Sequence, residues 1–106
     1  MINMKRKKRK KTLHDDTIAQ LVRRLEGRYD FITTKLEYNC RGYDGEVDVL
    51  AYDLRHKTYH FYEIKSSYSS KSYHKALEQY HRYCSAHPKE KVKGVFVSPK
   101  KVRRLR

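Results

Sequence analysis

A chain of 106 residues accommodates one domain. Its apolar share is 38%, a modest core supply to which ten tyrosines add rings with polar ends. The formal charge of +14 is concentrated at the two ends: seven Lys or Arg lie in residues 1–11 and five in 100–106, leaving 14 that nearly balance the 12 acids. No apolar run approaches the ~20 residues of a membrane span, and Thr12-Leu13-His14-Asp15-Asp16 follows the basic start where a secretory leader would be apolar.

The first predicted helix runs from Leu13 to Glu26, with Ile18, Leu21, Val22 and Leu25 on one stripe. Thr12 with Asp15 three residues later resembles a capping box, and Gly27 suits the stop. A strand follows at Phe31–Tyr38, then a polar turn-rich loop over residues 39–45. Two further strands, Glu46–Asp53 and Thr58–Lys65, are close enough in sequence to pair as an antiparallel hairpin. Ser66–Ser72 reads as a serine-rich loop. The second helix spans Ser72–Ala86, burying Tyr73, Ala76, Leu77, Tyr80 and Cys84, and Pro88 follows its end. A last strand covers Gly94–Ser98. The order helix, three strands, helix, strand reads as an α/β sandwich with at least one helix on a mixed sheet. The domain is expected over residues 12–99, between a basic arm at 1–11 and a basic tail at 100–106.

Both basic ends repel themselves and are poor candidates for packed structure. They suit a polyanion, because each neutralised phosphate releases counterions. A solubilising or nuclear-localisation tail has the same composition. Cys40 and Cys84 form no C-x-x-C and no disulfide framework, so a reducing intracellular setting is the default.

The chemistry-bearing stretch is residues 45–65. Asp48 lies in the second strand; Glu63 and Lys65, two apart in the third, share a face. If Asp48 sits opposite on the neighbouring strand, two carboxylates converge, which is unfavourable unless a cation neutralises them. Mg²⁺ prefers one or two carboxylates plus water and phosphate oxygens. The Ile64 carbonyl is a further candidate ligand. A metal lowers the pKa of bound water and polarises a phosphodiester, and Lys65 can orient the water or stabilise the growing charge. The bland alternative is an exposed salt bridge on an E-x-K sheet face.

Gly45-Glu46-Val47-Asp48-Val49-Leu50-Ala51 followed by Tyr62-Glu63-Ile64-Lys65-Ser66-Ser67 resembles the PD-(D/E)xK, restriction-endonuclease-like superfamily, closest to the archaeal Holliday-junction resolvases and RecB-like nucleases. The resemblance covers Leu13 to Pro99. It implies a restriction-endonuclease-like core and a Mg²⁺-dependent DNA endonuclease, with Mn²⁺ able to substitute. Asp48 and Glu63 match the metal carboxylates and Lys65 the catalytic lysine, while Val47 stands where many members have proline. The helix-1 acid of the family falls on Asp15 or Asp16, of which Asp16 has the better spacing. Gln79-Tyr80-His81-Arg82-Tyr83 resembles the Q-x-x-x-Y motif, with Gln79 and Tyr83 at i, i+4. That helical face either meets substrate phosphate or anchors a tyrosine in the core. His14 is the one histidine near this centre; the six histidines form no zinc pattern.

Lys71, Lys75, Tyr83 and Arg41 are candidates for contacting nucleic acid, with Lys35 a further one. With no sequence-reading module in view, shape recognition through phosphates is expected, which favours branched DNA and a Holliday-junction resolvase acting as a homodimer. Nucleases of other DNA structures and a non-enzymatic basic nucleic-acid-binding protein are the alternatives. No nucleotide cofactor and no membrane partner are expected.

Overall fold

The computed structural model describes residues 12–106; the basic arm at 1–11 lies outside the described residues. The elements are α1 (Leu13–Leu25), β1 (Phe31–Cys40), β2 (Tyr43–Asp53), β3 (Thr58–Ile64), α2 (Ser70–Ala86), β4 (Lys91–Ser98) and β5 (Lys101–Leu105). The five strands form one sheet in the order β1-β2-β3-β4-β5, with β3 and β4 parallel and the other neighbours antiparallel. Alternation along the strands divides the core between two faces. Val49, Ala51, Tyr62, Ile64 and Val97 meet Ile18 and Leu25 of α1. Leu50, Phe61 and Phe96 meet Ala76, Tyr80 and Tyr83 of α2. The result is a mixed α/β fold with one helix on each side of the sheet.

Local chemistry explains the ends of these elements. Thr12 Oγ1 accepts from Asp15 N–H at 3.0 Å, and the Asp15 carboxylate accepts from Thr12 N–H at 3.3 Å, closing the expected capping box. Ser69 and Ser72 build a second capping box, so α2 starts at Ser70 and the serine-rich loop is shorter than expected.

Two sequence expectations are corrected. The loop expected over residues 39–45 is a two-residue turn: Cys40 pairs with Tyr43, and Arg41 (φ 51°) and Gly42 (φ 81°) take the left-handed values such a turn needs. Side chains close it, since Asn39 Nδ2 donates to Asp44 at 2.8 Å and Gly42 N–H donates to Asn39 Oδ1 at 3.0 Å. The basic tail expected from residue 100 is strand β5, so the folded body extends past residue 99. Its charges stay exposed while Leu105 is buried in the α2-side core and Tyr73 Oη donates to the Arg104 carbonyl at 2.7 Å. Backbone pairing to β4 and one apolar anchor outweigh the self-repulsion of the run.

The β1–β2 hairpin also rolls over. Ile32, Val49 and Ala51 pack toward α1, whereas Leu36, Tyr38 and Val47 pack toward α2. These positions are even-numbered steps apart within each strand, so a regular ribbon would keep them on one face. The break falls at Lys35, which has φ 53°, a left-handed value costly for a residue with a Cβ. In the β1–β2 register Lys35 lies opposite Asp48, between the pairs Thr34–Val49 and Leu36–Val47. The roll therefore sets the position of Asp48.

Candidate active site

The β2–β3 register pairs Val49 with Tyr62; one step further places Asp48 opposite Glu63. Both carboxylates are buried, Asp48 at 7% and Glu63 at 3% exposure. Asp48 Oδ2 accepts from the Ile64 N–H at 2.8 Å, which fixes its rotamer across the strands. Lys65, just past the end of β3, is anchored by its own N–H to the Val97 carbonyl at 2.9 Å. Its Nζ lies 3.4 Å from Glu63 Oε2 and donates to Gln79 Oε1 of α2, also at 3.4 Å. The sequence therefore identified the residues that meet here: Asp48, Glu63, Lys65 and Gln79 come together, with the Ile64 backbone between them.

From the other face, α1 contributes His14. Its Nε2 is 2.9 Å from the Ile64 carbonyl and 3.4 Å from Asp48 Oδ2. Asp16 does not reach this point. It is exposed and lines a separate groove with Leu13, Thr17, Pro99 and Lys100. Two residues along a helix is a rotation of about 200°, so the face that presents His14 turns Asp16 away. Asp15 is committed to the cap. Spacing to Gly27 alone favoured Asp16; the stripe Ile18–Leu25, followed back to the first turn, points at His14.

Tyr83 is likewise corrected. It is 2% exposed beneath α2, its ring edge-on to Tyr38 at 5.3 Å and stacked on His87 at 4.2 Å, and its hydroxyl donates to Glu90 at 3.3 Å. It anchors the helix and is not on a surface that nucleic acid can touch. Gln79 is held differently: its carbonyl accepts from Tyr38 Oη at 3.2 Å and its side chain faces Lys65. Lys71 and Lys75 are exposed on α2, at i, i+4 and i+8 relations that run to Gln79. Arg41 is exposed at the hairpin tip, seven residues and roughly 23 Å of extended strand from Asp48. Lys35 is exposed at the roll.

The electrostatics are those of a buried carboxylate pair that the one nearby lysine only partly offsets. The Glu63 carboxyl is pushed up to about 8, first by burial and then by the Asp48 charge; Lys65 opposes both. Glu63 Oε1 is buried with no hydrogen-bond partner. An orphaned carboxylate oxygen of this kind calls for a proton or a cation. Among the described residues no group of three or more His, Cys, Asp or Glu side chains is arranged to hold a metal ion. Asp48 and Glu63, opposite one another and close enough to interact electrostatically, offer carboxylate oxygens, and the Ile64 carbonyl lies beside Asp48 within reach of His14; these are hard donors, and Mg²⁺ asks for only one or two carboxylates beside water and phosphate. The residues present therefore fit a hard divalent cation.

A cleft opens beside the centre between the β1–β2 hairpin and α2, lined by Tyr38, Tyr43, Gly45, Glu46, Gln79 and Arg82. The Arg82 guanidinium covers the Tyr43 ring at 3.8 Å. Gly45 is required there, because a Cβ would fall 2.4 Å from the Tyr38 ring.

No helix among the described residues is long and apolar enough to cross a membrane. No family model matches the chain, and no curated protein matches it. Among solved structures, the crystal structure of SSO0001 is similar in fold, with a TM-score of 0.53 and 25% identity over 87% of this chain. The chain spans 48% of that protein's length.

Proposed function

We propose that this protein is a Mg²⁺-dependent DNA endonuclease with a restriction-endonuclease-like, PD-(D/E)xK core. The observation that carries the reading is the convergence of Asp48, Glu63 and Lys65 at the end of a central hairpin, with one carboxylate oxygen buried and unpaired. A structural salt bridge would satisfy its carboxylate; this one leaves Glu63 Oε1 without a partner and holds its carboxyl well above the usual range.

Asp48, Glu63 and the Ile64 carbonyl would hold the ion, Mg²⁺ or Mn²⁺. When bound, it supplies Lewis-acid polarisation of the phosphate and an acidified water. The remaining work belongs to the chain. The Ile64 N–H and His14 hold Asp48 in place. Lys65, aimed by Gln79, is at hand to orient the attacking water and to stabilise charge on the phosphate oxygens. Phosphodiester hydrolysis is the reaction best served by two carboxylates and one lysine in this arrangement.

DNA is the proposed polyanion and branched DNA the favoured form, because each helix and strand among the described residues is part of the sheet layer or packs on it, which favours contacts to phosphates over contacts to base edges. Cutting two strands of a junction symmetrically requires a homodimer. The test is incubation of labelled four-way junction, linear duplex and single-stranded DNA with the protein in Mg²⁺, Mn²⁺ or EDTA. Metal-dependent cleavage supports the reading, and the DNA cut fastest names the subtype. Intact DNA under every metal condition overturns it in favour of a basic nucleic-acid-binding protein.

A further inference from the structure

Strand β5 carries a cationic group whose placement relative to the carboxylates is set by the sheet. Glu63 of β3 is the register partner of Phe96 in β4, and Phe96 is the partner of Arg103 in β5. The three residues form one row across the sheet. Partners in a row point to the same face, and two strand spacings amount to roughly 10 Å. Arg103 thus stands on the α2 side, at the level of Glu63, about 10 Å away.

Its side chain is held. Arg103 Nη1 donates to Tyr68 Oη at 2.6 Å, and the guanidinium lies over the Tyr73 ring at 4.3 Å. Both rings are fixed in turn against Phe96, at 5.5 Å and 5.8 Å. Lys101 Nζ sits over the other ring of the pair, 5.3 Å from the Tyr68 centroid. Among the described residues no carboxylate forms a salt bridge with Arg103 or Lys101. Arg103 itself is exposed and Tyr68 is 39% exposed. A guanidinium carries five donors in a planar fork suited to a phosphate, and here one is used and the plane is already oriented. Rotamer entropy that a free arginine would lose on binding has largely been lost on folding.

We infer that Arg103, oriented by Tyr68 and Tyr73 and assisted by Lys101, is a phosphate-binding site for the nucleic-acid backbone two strand spacings from the Glu63 side of the carboxylate centre. The site rests on the nuclease reading for its purpose, since it would grip a phosphate neighbouring the one at Glu63 and Lys65. Its ligand is a phosphodiester group. It makes β5 part of the substrate surface, in place of the free tail that composition suggested.

The experiment measures binding of a fluorescently labelled single-stranded oligonucleotide in EDTA, as a function of salt, for the wild type, Arg103→Gln, Arg103→Lys and the remote control Arg55→Gln. One lost phosphate contact lowers the salt slope by about 0.7. Arg103→Gln is expected to show that loss with an affinity drop of about tenfold. Arg103→Lys keeps the slope and loses affinity, because the fork and the stacking are gone while the charge remains. If Arg103→Gln does not fold, Tyr68→Phe, which removes the anchoring hydroxyl, is expected to weaken binding at unchanged salt slope. A slope and affinity for Arg103→Gln equal to wild type, or an equal loss in Arg55→Gln, overturns the site. Cleavage by the wild type is scored separately with Mg²⁺. Cleavage with no Arg103 effect rejects this site and leaves the nuclease reading standing; an Arg103 effect without cleavage does the reverse.

Discussion

Replacing Glu63 by Gln should make the metal-free protein more stable, and only at high pH. The side chain is 3% exposed, its Oε1 has no partner, and its carboxyl is raised to about 8 from an ordinary 4.5. Because the folded-state value is raised, the folded protein holds a proton that the unfolded chain has released. The associated stabilisation is complete below about 4.5 and is lost as pH rises through about 8. At 1.36 kcal/mol per pK unit, carrying the bare charge at high pH costs on the order of 5 kcal/mol. Gln is isosteric and does not ionise, so this loss disappears in the variant. For a domain near this size 1 kcal/mol moves Tm by about 4–8 °C. Thermal melts in EDTA should nearly coincide near pH 4 and separate by roughly 15 °C or more near pH 9, with the variant the more stable. Mg²⁺ should raise the wild-type Tm at the high pH and leave the variant little changed. Melting curves whose difference does not depend on pH would refute the claim that a buried, incompletely compensated carboxylate pair sits at this centre.

Tyr83→Phe should lower stability by about 1 kcal/mol through loss of the Glu90 hydrogen bond, read by urea denaturation, while DNA affinity stays at wild type. His14→Ala removes contacts to Ile64 and Asp48 and should weaken metal affinity by about 10- to 100-fold in a calorimetric titration, whereas Asp16→Asn should change nothing. Gly45→Ala drives a methyl group into the Tyr38 ring and should cost about 1–3 kcal/mol in denaturation, with a loss of cleavage as the Tyr38–Gln79 contact shifts. Lys35→Gly should stabilise the fold by about 1 kcal/mol and Lys35→Val should destabilise it, because the left-handed φ of 53° suits only the former.

The parts of this architecture that depend on short-range rules were legible in the chain. The stripe in α1 and the Thr12–Asp15 cap follow from spacing, and the β-branched and aromatic content of β2 and β3 with the short link between them pointed to the hairpin; that Asp48 falls opposite Glu63 was open until the register was seen. What was not legible depended on tertiary geometry. The turn at Arg41–Gly42 needed a non-glycine residue in the left-handed region, which composition argues against. The strand β5 reads as a charged tail because its anchoring is one residue, Leu105, and a backbone ladder. Tyr83 looked like a partner of Gln79 because i, i+4 neighbours share a helical side; the α2 stripe through Ala76 and Tyr80 takes Tyr83 into the core and leaves Gln79 at its margin. Between Asp15 and Asp16 spacing favoured Asp16, but the helix rotation turns Asp16 away and presents His14, as the buried stripe shows when it is followed back to the first turn.

The most direct measurement is a paired comparison of DNA binding and Mg²⁺-dependent cleavage by the wild type, Glu63→Gln and Lys65→Met under single-turnover conditions. The account predicts that all three bind DNA within a few-fold of one another. The wild type alone should cut at an appreciable rate, each variant losing at least about a hundredfold. Cleavage by Glu63→Gln or Lys65→Met at the wild-type rate would contradict the assignment of this centre, whatever DNA the protein prefers.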